Sequence, residues 1–366
     1  DINCTQGVLK DNSLWGSAGP DTITITRDGV FTTPALANSA VVEGSVEGRG
    51  GDDTITITTS GTTILAFGNA GISATIGLTG VGATGTVTAD GASTVTITAA
   101  TPNSASAQDD HSIGGYGGFG NVGIVKGGPD TTINITGGKG ESGLSHGDST
   151  SPTGGTGNVG MVSGGTVAIT GGDGGSGTVF GAGGPANALS GRVTAANVTL
   201  TGGNAGTGDT TGKNGGSANT ANSSDLNPHN AALPPGVTLS GSENSTLKAT
   251  GGTPSGSATA GAGNTGTITG PKGGEATINV TGGSVPEDGT GTIGSGNTGT
   301  ITGGDGNNTI TASAGTGPNK GDAKGNTKGA VIDGNVEEGD ETTATCIING
   351  GDDGDVKNCT EIKRNP

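Results

Sequence analysis

Gly120-Asn121-Val122-Gly123-Ile124-Val125-Lys126-Gly127-Gly128 is followed, three residues on, by Thr132-Ile133-Asn134-Ile135-Thr136-Gly137-Gly138. The same phrase returns as Gly157-Asn158-Val159-Gly160-Met161-Val162-Ser163-Gly164-Gly165 and runs into Thr166-Val167-Ala168-Ile169-Thr170-Gly171-Gly172, an offset of 157 − 120 = 37 positions. Two later copies, Gly263-Asn264-Thr265-Gly266-Thr267-Ile268-Thr269-Gly270 and Gly296-Asn297-Thr298-Gly299-Thr300-Ile301-Thr302-Gly303, lie 296 − 263 = 33 positions apart. Weaker echoes begin at Gly68-Asn69 and Gly325-Asn326. A period of about 30 to 40 residues held along a chain is the mark of stacked supersecondary units.

Composition narrows what those units can be. The 366 residues include 82 Gly, are 28% hydrophobic and 2% aromatic, and carry a net charge of −17. Too few large side chains are present for an ordinary globular core. The choice lies between disorder and a solenoid whose slender core is filled by stacked aliphatic residues. The apolar residues decide it, because they arrive in alternating strings: Thr22-Ile23-Thr24-Ile25-Thr26, Thr54-Ile55-Thr56-Ile57-Thr58, Thr94-Val95-Thr96-Ile97-Thr98 and Ala276-Thr277-Ile278-Asn279-Val280-Thr281. Period-two alternation of β-branched residues reads as a half-buried strand, Ile and Val inward and Thr outward. The expected fold is therefore all-β, a parallel β-solenoid of about ten irregular coils with Gly-rich corners and loops. Strands near 22, 54, 94, 132, 166, 198, 246, 277, 309 and 342 set the count. At about 4.8 Å per coil this is a rod about 48 Å long. The Gly-Asn pairs read as corners, since positive φ suits Gly and is tolerated by Asn.

Along the chain, residues 1–20 hold Val8, Leu9, Leu14 and Trp15, bulk suited to an N-terminal cap or assembly segment. Residues 21–203 form the first part of the solenoid. Residues 204–235, with Pro228, Pro234 and Pro235, read as a Gly/Ser/Pro-rich loop or linker. Residues 236–329 form the second part. Residues 330–366 are an acidic C-terminal cap or assembly tail carrying a Cys pair.

Cys346 and Cys359 flank a turn-rich loop and are expected to form an intrachain disulfide, leaving Cys4 as a candidate for pairing with another molecule. Such a disulfide belongs in an oxidising compartment. A chain opening on Asp1 rather than Met fits a mature protein whose signal peptide has been cleaved, so the expected location is the cell surface or extracellular space. The acidic charge disfavours nucleic acid and anionic membrane as partners, and no run of apolar residues is long enough to span a bilayer.

Asn3, Asn134, Asn197, Asn222, Asn244, Asn279, Asn307 and Asn358 stand in Asn-x-Ser/Thr sequons and are the candidates for N-glycosylation, although the abundance of Ser and Thr supplies that number by chance. Gly19-Pro20-Asp21-Thr22-Ile23, Gly51-Asp52-Asp53-Thr54-Ile55 and Gly303-Gly304-Asp305-Gly306-Asn307-Asn308-Thr309-Ile310 resemble the calcium-binding RTX nonapeptide, but the copies are not in tandem. Calcium remains possible near Asp352, Asp353 and Asp355; no other cofactor is expected. Thr22, Thr24 and Thr26 with Thr54, Thr56 and Thr58 resemble the stacked Thr arrays of some antifreeze proteins. Asn134, Ala168 and Asn279 interrupt that array, so exposed Thr reads first as a good strand residue. Parallel β-helices also house polysaccharide-cleaving enzymes, but the scattered Arg27, Arg49 and Arg192 and the lack of recurring acid pairs do not favour catalysis. His111, His146 and His229 are isolated and read as surface residues.

In architecture the chain resembles secreted Gly/Thr-rich β-solenoid surface proteins: autotransporter passengers, adhesins and self-assembling extracellular filaments. The resemblance implies a structural subunit that assembles head-to-tail with copies of itself. The alternatives are a monomeric adhesin that binds glycans or neighbouring cell surfaces through its Gly-rich excursions and, less favoured, a polysaccharide-active enzyme.

Overall fold

The computed structural model describes residues 1–5, 7–8, 11–28, 41–60, 85–99, 101, 117–140, 153–177, 181–188, 191–208, 212–220, 236–241, 244–336 and 341–366. Among the described residues there is no helix, and all strand pairings are parallel, as in a β-solenoid.

Each coil contributes a short strand, a corner and a long strand. The long strands stack in register from Ile2–Cys4 through Thr22–Asp28, Thr54–Ser60 and so on to Ala344–Asn349 and Glu361–Asn365. They make twelve layers among the described residues, the ten Thr/Ile strings plus one strand at either end. Eleven intervals of about 4.8 Å give a rod about 53 Å long. The short strands form a second stack, from Ser13–Trp15 through Ser45–Glu47 to Asp355–Lys357, of eleven layers. Met161–Thr170 and Arg192–Thr201 belong to both stacks, each running through its corner without a break.

Alternation fixes what faces inward. Ile23, Ile55, Val95, Ile133 and Val167 fall in one file, and Ile25, Ile57, Ile97, Ile135 and Ile169 in the next, all 1% exposed or less. A third file runs Val46, Val87, Val125, Val162 and Val193 through the short strands. Each Ile or Val so buried contributes about 1.5–3 kcal/mol, and repetition supplies what the thin cross-section lacks. Outward, the long strands carry three further files. One is Thr26, Thr58, Thr98, Thr136, Thr170, Thr201, Thr250 and Thr281 without interruption; Asn134, Ala168, Lys248 and Asn279 fall in the middle file only.

From Gly117 to Gly315 the chain leaves the long strand and later returns through glycine, mostly as Gly-Gly, and these two legs interleave. Gly138 N–H donates to the Gly118 carbonyl, Gly155 to Gly138, Gly172 to Gly155, Gly184 to Gly172 and Gly203 to Gly184, each at 2.8 Å. The zigzag continues through Gly216, Gly252, Gly261, Gly283 and Gly294 to Gly315. No side chain fits: a Cβ on Gly171 would lie 1.9 Å from the Gly184 carbonyl oxygen of the facing leg, and one on Gly172 1.9 Å from the Gly138 carbonyl oxygen one layer away in its own leg. As in other bundles of extended chains, only glycine tolerates such an approach. The positive-φ glycines lie elsewhere, at turns such as Gly50, Gly51 and Gly273. The Gly-rich excursions thus begin as an ordered, side-chain-free wing, and the expectation that these glycines serve positive-φ corners is corrected.

The Gly-Asn pair also has a different role from the one expected. Asn121, Asn158, Asn187, Asn219, Asn264, Asn297 and Asn326 are fully buried, and none has positive φ. Each Nδ2 donates to the next layer's Oδ1 at 2.8–3.0 Å, forming a carboxamide ladder that ends with Asn326 donating to Asp352 at 3.1 Å. Asn264 also accepts from the Gly266 N–H and donates to its carbonyl, so its buried polar atoms are matched within the layer as well as between layers. Asn219 pairs in parallel with Asn187, and Gly216 stands on the glycine zigzag. Residues 212–220, within the expected 204–235 linker, are therefore part of a coil; 221–235 lie outside the described residues, as do the Gly68-Asn69 echo and all three histidines.

Gly172→Ala is expected to destabilise the protein by about 3 kcal/mol or more, because the Gly138 backbone cannot retreat without breaking its own hydrogen bonds. Gly236→Ala, where an added Cβ meets nothing within 4 Å, should stay within about 0.5 kcal/mol of wild type. Thermal melts of the two variants check the pair; equal losses would contradict the interleaved wing.

Candidate assembly ends

The two ends of the rod are not alike. At the N-terminal end the last long strand is Ile2–Cys4 and the last short strand is Ser13–Trp15. Ile2, Cys4 and Leu14 are half-buried against the core, and Trp15 is 53% exposed, with the Arg49 guanidinium 4.1 Å from its ring centroid. Gly7, at φ +71°, joins the first strand to Val8, which is buried and bound to the following coil through Val41, Glu43 and Gly44. This region, expected as a cap or assembly segment, is the first layer of the stacks.

At the C-terminal end, the last long strand, Glu361–Asn365, is exposed throughout, and Val356 is half-buried in the last short strand. The connection from Asn349 to Asp352 is a turn through Gly350 and Gly351, both with positive φ, so this coil has no wing. Cys346 and Cys359 are disulfide-bonded, tying the last two layers together. A loop closed by a 13-residue separation contributes about 3 kcal/mol. Asp352 takes the ladder position but can only accept, so the carboxamide series stops there. Its second oxygen accepts from Arg364 Nε at 2.7 Å. Arg364 stands in register with Ile348 at the end of an aliphatic file. Lys363 pairs with Glu361, and Lys357 with Asp333.

The remaining sequence candidates are dispersed. Asp352 holds Asn326 and Arg364, Asp353 faces Lys324 at 3.8 Å, and Asp355 is exposed; the three do not converge. Among the described residues no three His, Cys, Asp or Glu side chains are grouped to hold a metal ion. The sequons spread over the surface. Asn3, Asn197, Asn244, Asn307 and Asn358 are exposed, Asn134 and Asn279 lie mid-strand on the outward face, and Asn222 is outside the described residues. Cys4 is the free thiol, and its Sγ–H donates to the Gly7 carbonyl. Sequence reasoning missed Asn187, Asn219 and Asp352 as ladder members; the signal available was a small residue, Ala186, Ala218 or Gly351, immediately before each. Among the described residues no helix is long and apolar enough to cross a membrane.

One corner near the N-terminal end holds unusual carboxylates. Asp21 and Asp53 precede consecutive long strands, and Ser93 and Thr131 take the same place in the next two layers. The Asp21 N–H donates to Asp53 Oδ1, as the Asp53 N–H donates to Ser93 Oγ. Asp53 is 1% exposed and its Oδ2 has no hydrogen-bond partner. Burial, with repulsion from Asp21, Asp90 and Asp52, pushes its carboxyl above the usual range despite the bond from the Asp21 N–H. Asp21 is held below that range by the Ser17 backbone N–H and hydroxyl. Asp333 is also low: burial opposes ionisation there, but the Asn335 N–H, Asn358 and Lys357 outweigh it.

No protein-family model, no curated protein and no solved structure matches the chain.

Because the Asp53 carboxyl is raised, its contribution to stability is complete below the unfolded value and is lost as pH rises through the folded one. Asp333, being lowered, contributes above the unfolded value and loses that contribution as pH falls. Asp53→Ser, which copies Ser93 one layer on, should raise Tm at pH 7 by a few degrees, about 2–4 °C per kcal/mol released. The gain should shrink toward zero as the pH is lowered past the carboxylate range. Melts of both proteins across pH check this; a variant less stable at neutral pH would contradict it.

Proposed function

We propose that the protein is a structural subunit of an extracellular filament or matrix, a rod that assembles end to end with copies of itself by strand addition. The observation that carries this reading is that, among the described residues, the inward files end in partly exposed side chains in both outermost layers, with one polarity. One file runs from half-buried Ile2 to Ile362, which is 38% exposed, and another from Leu14 to Val356. An uncovered parallel edge is a template for another strand, and a head-to-tail contact that does not close generates a fibre. The disulfide supports placement in an oxidising, extracellular setting. The chain holds three cysteines and two are bonded to each other, so a disulfide between copies would have to join Cys4 to Cys4. That links like ends, so head-to-tail contacts in this reading are non-covalent.

The adhesin reading draws support from a different feature. From Thr22 to Thr201 the three outward files of the long strands hold Thr, Asn and Ala, and none of these file positions is charged, on a chain of net charge −17. A broad uncharged face of this kind suits contact with a neutral glycan surface.

Sedimentation velocity over a range of protein concentrations separates the two. Wild type is expected to form rods of increasing length that do not collapse on reduction, and Ile362→Asp, at an exposed edge position, should lower assembly at least about tenfold. Monodisperse monomers at every concentration, with retention on immobilised glycans, would favour the adhesin.

A further inference from the structure

The long stack has twelve layers and the short stack eleven among the described residues. Resting on the end-to-end reading, this mismatch decides how two copies can meet. If Ile2–Cys4 of one copy simply adds to Glu361–Asn365 of the next, each copy advances the fibre by twelve layers, about 58 Å. The short stack then lacks one strand at every joint. Leu14 and Val356 would face each other across that gap, with an aliphatic file broken between them. If instead the copies close up by one layer, both stacks become continuous, but Ile2–Cys4 and Glu361–Asn365 then compete for the same place beside Thr22–Asp28.

We propose that the first strand is a placeholder: Ile2–Cys4 covers the edge of Thr22–Asp28 in the free subunit and is displaced on assembly by Glu361–Asn365 of the neighbouring copy. The exchange favours the incoming strand. Ile2–Cys4 has three residues in the ladder, beside Ile23, Thr24 and Ile25. Glu361–Asn365 has five, and would bring Ile362 to Ile23 and Lys363 to Thr24 while Asp355–Lys357 seats on Ser13–Trp15. Val356 then covers Leu14. Lys357 falls in register with Trp15, where a cation can face the indole. Arg364 carries its own counter-ion, Asp352, into the joint, so the charge is not buried alone. Gly7, with its positive φ, stands where the displaced segment would swing away, while Val8 remains fastened to the following coil.

The free thiol and the chain's one Trp report on this step directly. In the free subunit Cys4 is partly buried against the core and bonded to Gly7; displacement would release it. Wild-type protein is to be compared below and above its assembly concentration, with maleimide labelling of Cys4, acrylamide quenching of Trp15 and the axial repeat measured by electron microscopy. The expected result is a repeat of about 53 Å, eleven layers, with faster Cys4 labelling and weaker Trp15 quenching in the polymer. Removing residues 1–7 should lower the assembly concentration about tenfold or more. Ile2→Asp, which loosens the same strand without deleting it, should act in the same direction. Fibres with a repeat of about 58 Å and Cys4 still protected would overturn the displacement while leaving the end-to-end reading intact. Failure of wild type and both variants to polymerise would overturn both.

Discussion

The contact on which the rest depends is backbone against backbone. Where outgoing and returning legs meet, carbonyl oxygens of one leg lie where a Cβ of the other would have to be, as at Gly171 over Gly184 and Gly154 over Gly172. That closeness lets the N–H groups of the two legs reach each other's carbonyls. A leg of ordinary residues would be held apart by its side chains and would leave those groups unmatched. The glycine content that looks like a loss of core is therefore what allows extended legs to be hydrogen-bonded without a core. Its cost is entropic, since glycine gives up the most freedom on ordering. The aliphatic files and the carboxamide ladder, both of which lock layer to layer, offset that cost over the length of the rod.

The three devices divide the cross-section. Ile and Val fill the interior between the two strand stacks, Asn lines one buried corner, and glycine builds the wing. Each is repeated layer by layer, so a coil contributes mainly through its neighbours. This makes the ends chemically special. Asp352 ends the ladder with a group that accepts and does not donate. Arg364 answers its charge, and the disulfide from Cys346 to Cys359 fastens the last coil. At the opposite end the first strand is three residues long, with Gly7 at positive φ just beyond it.

How much of this was legible follows from which residues carry it. The Thr/Ile strings were readable because period-two alternation has one geometric meaning, and Ile23, Ile55 and Val95 could hardly face anywhere but inward. The ladder was half visible. Gly-Asn recurred, but a corner residue and a buried carboxamide look the same in sequence until register places Asn158 between Asn121 and Asn187. The wing was hidden, because glycine is the commonest sign of a turn and nothing in Gly171-Gly172 distinguishes close approach from positive φ. The ends were recognised by their bulk and charge, yet that Trp15 and Lys357 share one outward file emerges only from counting layers. The expected linker misled for a related reason: without a Thr/Ile string, residues 212–220 offer only Gly, Ala and Asn to mark them as a coil.

The central claim, that glycine legs form a hydrogen-bonded lamina rather than loose loops, is tested most directly by residue-resolved amide hydrogen exchange. The amides of Gly138, Gly155, Gly172, Gly184 and Gly203 should be protected to the same degree as those of Ile133 and Val167 in the adjoining strands. Exchange of these glycines at the rate of an exposed loop, while the strands stay protected, would contradict it.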